Sequence, residues 1–281
     1  MTLRRWLTGV LVLLAGVLLL VVLTLLFVPA TDLVGVVQRG MARQGLTLEV
    51  ASVGRAFPLG ITARRVTLIA EQGQLMVVDR LTCRFHLLPL LLGRLQWSAE
   101  AVIGSGHLTL AGSLGKRPEL TVDSSGLRLE RLPVLKTALG GGSVQGGFRV
   151  SGALTGNWPQ ATGSLTVDAT AVDLQGVSLG GMRLPDALYR TVRGQLAIGN
   201  GTVTVQSIAL DGEGIYARLS GTLPVTAPIT AAPLSLKFEL MPKPEFMERQ
   251  KLIFLLLVKF LVSPGNYHLP IKGTLGAPSV F

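Results

Sequence analysis

One cysteine, Cys83, and three histidines, His86, His107 and His268, stand in 281 residues. A single thiol closes no internal disulfide, and these residues show none of the Cys/His spacings of a metal site. A buried, inert thiol is the expectation for Cys83. Acidic residues are scarce too, 16 against 26 lysines and arginines. No nucleophile, general base and orienting acid form a recognisable pattern, and Gly-x-Ser-x-Gly and Walker-type motifs are missing. Asp168 and Asp173, five residues apart on one expected strand, fall on opposite faces and make no acid/base pair. The glycine-rich stretches "GNGTVTVQ" and "GGGSVQGG" lead into strands, whereas a phosphate cradle needs a helix N-terminus. The expectation is a non-enzymatic protein that uses no cofactor and no metal.

What is abundant is apolar: 48% of residues are hydrophobic. Residues 6–28, "WLTGVLVLLAGVLLLVVLTLLFV", contain no charge. At about 1.5 Å per residue such a helix crosses a hydrocarbon core of roughly 30 Å. Arg4 and Arg5 precede it, so residues 1–5 are expected in the cytoplasm and the bulk of the chain on the far side, the periplasm in a bacterium. The competing reading, a cleaved signal peptide ending at "VPA", fits less well, because its apolar region should be only about 7–15 residues. The net charge of +10 is dispersed, which argues for anionic lipid headgroups or an acidic partner and against nucleic acid.

Beyond the anchor, residues 29–46 read as a membrane-proximal helix or linker, with Thr31 or Asp32 as N-cap and Val34, Val37 and Met41 at helical spacing. From Thr47 the period becomes two. Leu75, Val77, Leu81, Cys83, Phe85 and Leu87 share one phase, and Arg80, Thr82, Arg84 and His86 the other. The alternation recurs at Leu95 to Ile103, at Leu165, Val167, Ala169 and Ala171, at Leu196 and Ile198, at Val203 and Val205, and at Leu234 to Leu240. Roughly a dozen antiparallel strands are implied, joined by Gly- and Pro-rich turns, over 47–281. Four segments repeat one template: "LTLAGSL", "FRVSGAL", "ARLSGTL" and "LPIKGTL". Gly112, Gly152, Gly221 and Gly273 then mark points where a strand bends or another group approaches closely.

The order of an N-terminal anchor, the stretch "GITARRVTLIAEQGQLMVVDRLTCRFHLLPLLLGRLQW" and a terminal "NYHLPIKGTLGAP" resembles the AsmA-like superfamily of anchored periplasmic proteins. Within it, the order is similar to the N-component family of the type II secretion system. The resemblance implies a bacterial inner-membrane, single-pass protein that works with other secretion-system subunits and is non-enzymatic. It also implies a curved sheet, an open groove or taco-like shape, whose apolar concave face is of the kind associated with phospholipid binding or transfer. Taken alone, the residues require only that a one-faced sheet bury its apolar side on helices, on another sheet or on a ligand, so sandwich, barrel and groove all stay open.

Three residue sets are candidates for function. Trp97, Phe148 and Phe238 fall on apolar phases and would line a groove. Arg64, Arg65 and Arg84 would meet headgroups or a partner, or simply form a solvated polar face. The third set lies in "KLIFLLLVKFLV", residues 251–262, too short to span a bilayer. With Pro244 near its start and Ser263-Pro264-Gly265 as its stop, this stretch reads as one helix of about 19 residues that caps the apolar face through Leu256 and Phe260.

Overall fold

The computed structural model describes residues 30–280, apart from 43–44, 58, 71–72, 87–88, 90–93, 116, 158–159, 180, 227–230 and 276. The expected cytoplasmic tail 1–5 and anchor 6–28 lie outside the described residues. Among the described residues no helix is long and apolar enough to cross a membrane.

The protein is mainly β, and its sheet is one long antiparallel meander. The first helix, α1 (Ala30–Ala42), packs on the first strand, β1 (Leu46–Ala56), and the Gln38 side-chain amide donates to the Leu48 carbonyl at 2.9 Å. That bond satisfies one acceptor on the edge strand. The meander continues through β2 (Gly60–Ala70), β3 (Gly73–Phe85), β4 (Leu95–Ile103), β5 (Gly106–Leu114) and β6 (Glu119–Ser125). After the two-residue β7 (Leu127–Arg128) come β8 (Ser143–Thr155) and β9 (Thr162–Gln175). A separate hairpin, β10 (Ser178–Leu179) and β11 (Met182–Arg183), precedes β12 (Ala187–Gly199), β13 (Thr202–Gly212), β14 (Ile215–Pro224) and β15 (Ser235–Pro242). The sheet ends with β16 (Leu261–Ser263), β17 (Asn266–Thr274) and β18 (Ala277–Val280). Every neighbouring pair is antiparallel, in the order β1-β2-β3-β4-β5-β6-β8-β9-β12-β13-β14-β15-β17-β16, with β18 also on β17. The thirteen spacings of that path, at about 4.8 Å each, would extend roughly 60 Å if uncurled.

The connections divide unevenly between the two ends of the strands. At one end they are mostly short turns. At the other lie α2 (Pro133–Ala138), the β10–β11 hairpin, and the pair α3 (Pro244–Arg249) and α4 (Lys251–Leu257), followed by a 3₁₀ turn, Val258–Phe260. These segments reach across the apolar side of the sheet: α2 packs on β3, and β10 packs on the edge strand β18. The helices and the hairpin therefore sit at that one end of the strands.

Two sequence expectations are corrected. The expected single helix over residues 244–262 is two short helices and a 3₁₀ turn, broken at Gln250 (φ −125, ψ 38). The Gln250 side chain is drawn out of the helix by the hairpin: its Oε1 accepts from the Asp186 amide at 2.9 Å and its Nε2 donates to the Asp186 carbonyl at 2.6 Å. Residues 261–263 then leave as a strand, not as helix. The second correction concerns phase. Leu81, Cys83 and Phe85 share the apolar face, but Leu75 and Val77 do not; Met76 and Val78 take their place. The slip occurs opposite Arg65, which stands at φ 50. Ala171, at φ 51, makes a matching slip in β9, so that Ala169 and Val172 are buried and Ala171 is exposed. Kinks of this kind increase the local twist and bend a long sheet.

Candidate functional site

The register assembles one continuous apolar surface. A single line of cross-strand neighbours runs from β2 to β18: Ile61, Cys83, Ala99, Leu110, Val122, Gly152, Leu165, Leu196, Val205, Gly221, Leu236, Ile271 and Val280. None of these side chains carries a charge, an amide or a hydroxyl. On the opposite face a parallel line reads Thr62, Thr82, Glu100, Thr109, Asp123, Ser151, Thr166, Gln195 and Ser207, all polar. Alternation within each strand has thus been aligned across the whole sheet, which gives one apolar face and one polar face.

The lining is unequally covered. At the helix-bearing end Tyr189, Leu240, Leu257 and Leu269 are fully buried, in a core that also holds Phe238, Phe246, Phe254, Phe260 and Tyr267. Phe246 and Phe254 meet edge to face at 6.1 Å, Phe254 lies 5.4 Å from Tyr267, and the Tyr267 hydroxyl points to Met247 Sδ at 3.6 Å. A smaller core, with Ala63, Val66, Val78, Ala101, Ile103 and Leu127, sits under the first strands. Between these cores and the short-turn end, Trp97, Leu110, Leu120, Leu154, Leu165 and Leu196 are only half-buried. This middle stretch is the less covered part of the apolar face.

Ser124 is a polar side chain buried within the apolar face, and it is fully satisfied: its Oγ accepts from the Val150 amide at 2.6 Å and donates to the Val150 carbonyl at 3.1 Å. It mends the ladder where β6 gives way to β7. Burial pushes the half-buried Cys83 thiol up from its usual range and likewise raises the Tyr189 phenol, which favours the neutral form of both at physiological pH.

The glycines of the repeated template belong to this surface. An added Cβ at Gly112 would stand 2.8 Å from the Trp97 indole, which lies across it. Gly221, at φ 138, faces the backbone of Ser235 and Leu236 on β15. Absent side chains thus let a ring and a neighbouring strand close in where a larger residue would hold them apart.

The candidate residues fall as follows. Trp97 is half-buried in the less covered stretch, Phe148 is half-buried and touches both cores, and Phe238 and Phe260 are buried in the larger one. Leu256 is a correction: it is 64% exposed, and Leu257, at 0%, is the residue that packs inward. The break at Gln250 resets the helix phase, which a reading of one unbroken helix could not show. Arg64, Arg65 and Arg84 are exposed, and Arg84 lies 3.8 Å from Glu100. The half-buried leucines 110, 165 and 196 were missed as lining, although Leu165 and Leu196 stood in the periodic pattern; only the cross-strand register distinguishes them from ordinary core.

A second concavity, of about 660 Å³, opens around β7, β8 and β9, with Arg128, Arg149, Glu130, Asp168 and Asp173 among its lining. The slip at Ala171 restores parity between Asp168 and Asp173, so both reach this one cavity, against the expectation of opposite faces. Among the described residues no group of three His, Cys, Asp or Glu is arranged to hold a metal ion.

No protein-family model, no curated protein and no solved structure matches the chain.

Proposed function

We propose that the protein is a non-enzymatic, membrane-anchored module that binds the acyl chains of a phospholipid in its apolar trough. The observation that carries this reading is the half-buried middle of the lining, around Leu110, Leu165 and Leu196, in a surface that is otherwise covered by helices and hairpin. Apolar area of this extent is costly to leave in water, at about 25 cal/mol per Å², and an acyl chain covers it without requiring any directional contact. The polar outer wall keeps the same sheet soluble on its other side. The uncharged segment 6–28 would hold the module at a bilayer, the bacterial inner membrane, with the β domain in the periplasm.

The test is photocrosslinking in cells. The substitution Leu196→p-benzoylphenylalanine should yield a phospholipid adduct by mass spectrometry, and the same probe replacing Thr166, on the polar wall, should not. Equal labelling at both positions, or protein adducts alone at position 196, would overturn the reading.

A second reading rests on the resemblance to the type II secretion family in the order of anchor, paired strands and terminal strand. In it the sheet is a structural or interaction element of the secretion machinery, alongside other subunits of that machinery. A deletion strain should then fail to export folded exoproteins; unimpaired export would sink this role and leave lipid binding intact.

A further inference from the structure

The segment from Lys251 to Val262 packs into the core with one side, and its other side is apolar as well. Phe254, Leu257 and Phe260 are buried, whereas Leu252, Leu255, Leu256 and Val258 are 79%, 69%, 64% and 52% exposed. Leu261 and Val262 extend the same exposed surface into β16. Scattered exposed leucines are ordinary, but a contiguous aliphatic stripe on a single short helix marks a contact surface.

We infer that this outward stripe inserts into the headgroup and upper acyl region of an anionic bilayer. Charge is the first argument. Residues 249–263 carry Arg249, Lys251 and Lys259 and no acid. Both lysines are exposed, and Lys259 Nζ folds back to 4.8 Å over the Phe260 ring, so its aliphatic stem lies along the apolar surface. A cation on a long stem beside an aliphatic stripe is the arrangement that reaches headgroups while leucines enter the hydrocarbon.

The composition of the stripe is the second argument. It offers leucine and valine, with no exposed aromatic or hydrogen-bonding side chain in it, whereas protein-binding hot spots favour Trp, Tyr and Arg. Pairing with a second copy about a two-fold axis would use the same patch on both partners and bring Lys251 and Lys259 towards their own counterparts. Anionic headgroups reverse the sign of that interaction. The uncharged segment 6–28 supplies the third argument: a chain tethered at a membrane meets lipid at high effective concentration, so a shallow contact of few residues suffices. The inference does not depend on lipid occupying the trough, since it concerns the opposite side of the helix.

The experiment uses the full chain in vesicles of phosphatidylcholine with phosphatidylglycerol. In a Cys83→Ala background, Leu252→Cys and Leu256→Cys are labelled with an environment-sensitive fluorophore, with Thr222→Cys on the polar wall as reference. Labels at 252 and 256 should shift to the blue and be quenched by nitroxide-bearing acyl chains, and the label at 222 should do neither. The shift should shrink in vesicles of phosphatidylcholine alone and when Lys251 and Lys259 are both replaced by Glu. Labels at 252 and 256 that stay open to aqueous iodide would overturn the inference. So would a blue shift that vanishes on diluting the protein among vesicles, which would assign the stripe to a second copy, or one without acyl-chain quenching, which would show that the stripe does not enter the hydrocarbon. Circular dichroism of each variant separates loss of contact from loss of fold.

Discussion

Adjacent leucines in α4 have opposite tasks. Leu257 is fully buried in the core that also holds Phe254, Phe260 and Tyr267, and Leu256 projects outward. Leu257→Ala should lower stability by about 2–5 kcal/mol, because the surrounding rings cannot fully collapse into the space left. Leu256→Ala should change it by no more than about 0.5 kcal/mol. Urea unfolding of both variants checks the contrast, and equal losses would refute the assignment of sides. A second residue-scale expectation concerns Glu239, whose carboxylate is held below the usual range, first by its hydrogen bond from Lys237 and also by the nearby charges of Lys237, His268 and Arg218. Because its folded value lies below the unfolded one, its stabilising contribution is complete above about pH 4.3 and fades as the pH falls through the folded value. Lys237→Ala should therefore lower the urea midpoint at neutral pH, and the difference from the parent should close on acidification. A gap that stays constant with pH would show that Lys237 acts by packing alone.

The break between α3 and α4 is an element-scale device. A continuous helix through Gln250 would turn Leu256 and Leu257 to other directions and withdraw the amide that pairs with both backbone groups of Asp186. The hairpin and the helices are therefore tied together at that end of the strands. Gln250→Ala should leave the meander intact but cost about 0.5–1.5 kcal/mol, the net worth of a typical hydrogen bond, because water can reach the exposed Asp186 groups. Hydrogen exchange should accelerate in residues 177–187 and 244–260 before it does in β12 or β13; uniform acceleration would mean that the tie is part of the global core. Strand phases at this scale were largely readable beforehand: Leu95 to Ile103 and Leu234 to Leu240 alternate as their spelling implies. The phases failed at Arg65 and Ala171, where a non-glycine residue with positive φ shifts the strand by one position. Nothing in the side chain of arginine or alanine announces that conformation; it is imposed by the neighbouring strands.

For the whole molecule, the uneven cover of the lining predicts uneven stability. Amides of β12, β14 and β15 near Tyr189, Ala217 and Leu240 should exchange slowest, because the apolar face of the sheet is fully covered there. Amides of β5 and β6, beneath the half-buried leucines, should exchange faster in the isolated protein and slow when phospholipid is supplied; indifference to phospholipid would count against an acyl-binding trough. By itself the sequence determined the β class, the uncharged segment 6–28, the apolar phase of most strands and the positions of the close-approach glycines, because each depends on local spacing and backbone sterics. Only the tertiary structure decided that these phases line up into one apolar surface across thirteen strands, that Asp168 and Asp173 share a cavity, and that Leu257 rather than Leu256 packs into the core. Those outcomes depend on register, on kinks shared between neighbouring strands and on the hairpin that holds Gln250, and all three are contacts between segments far apart in the chain.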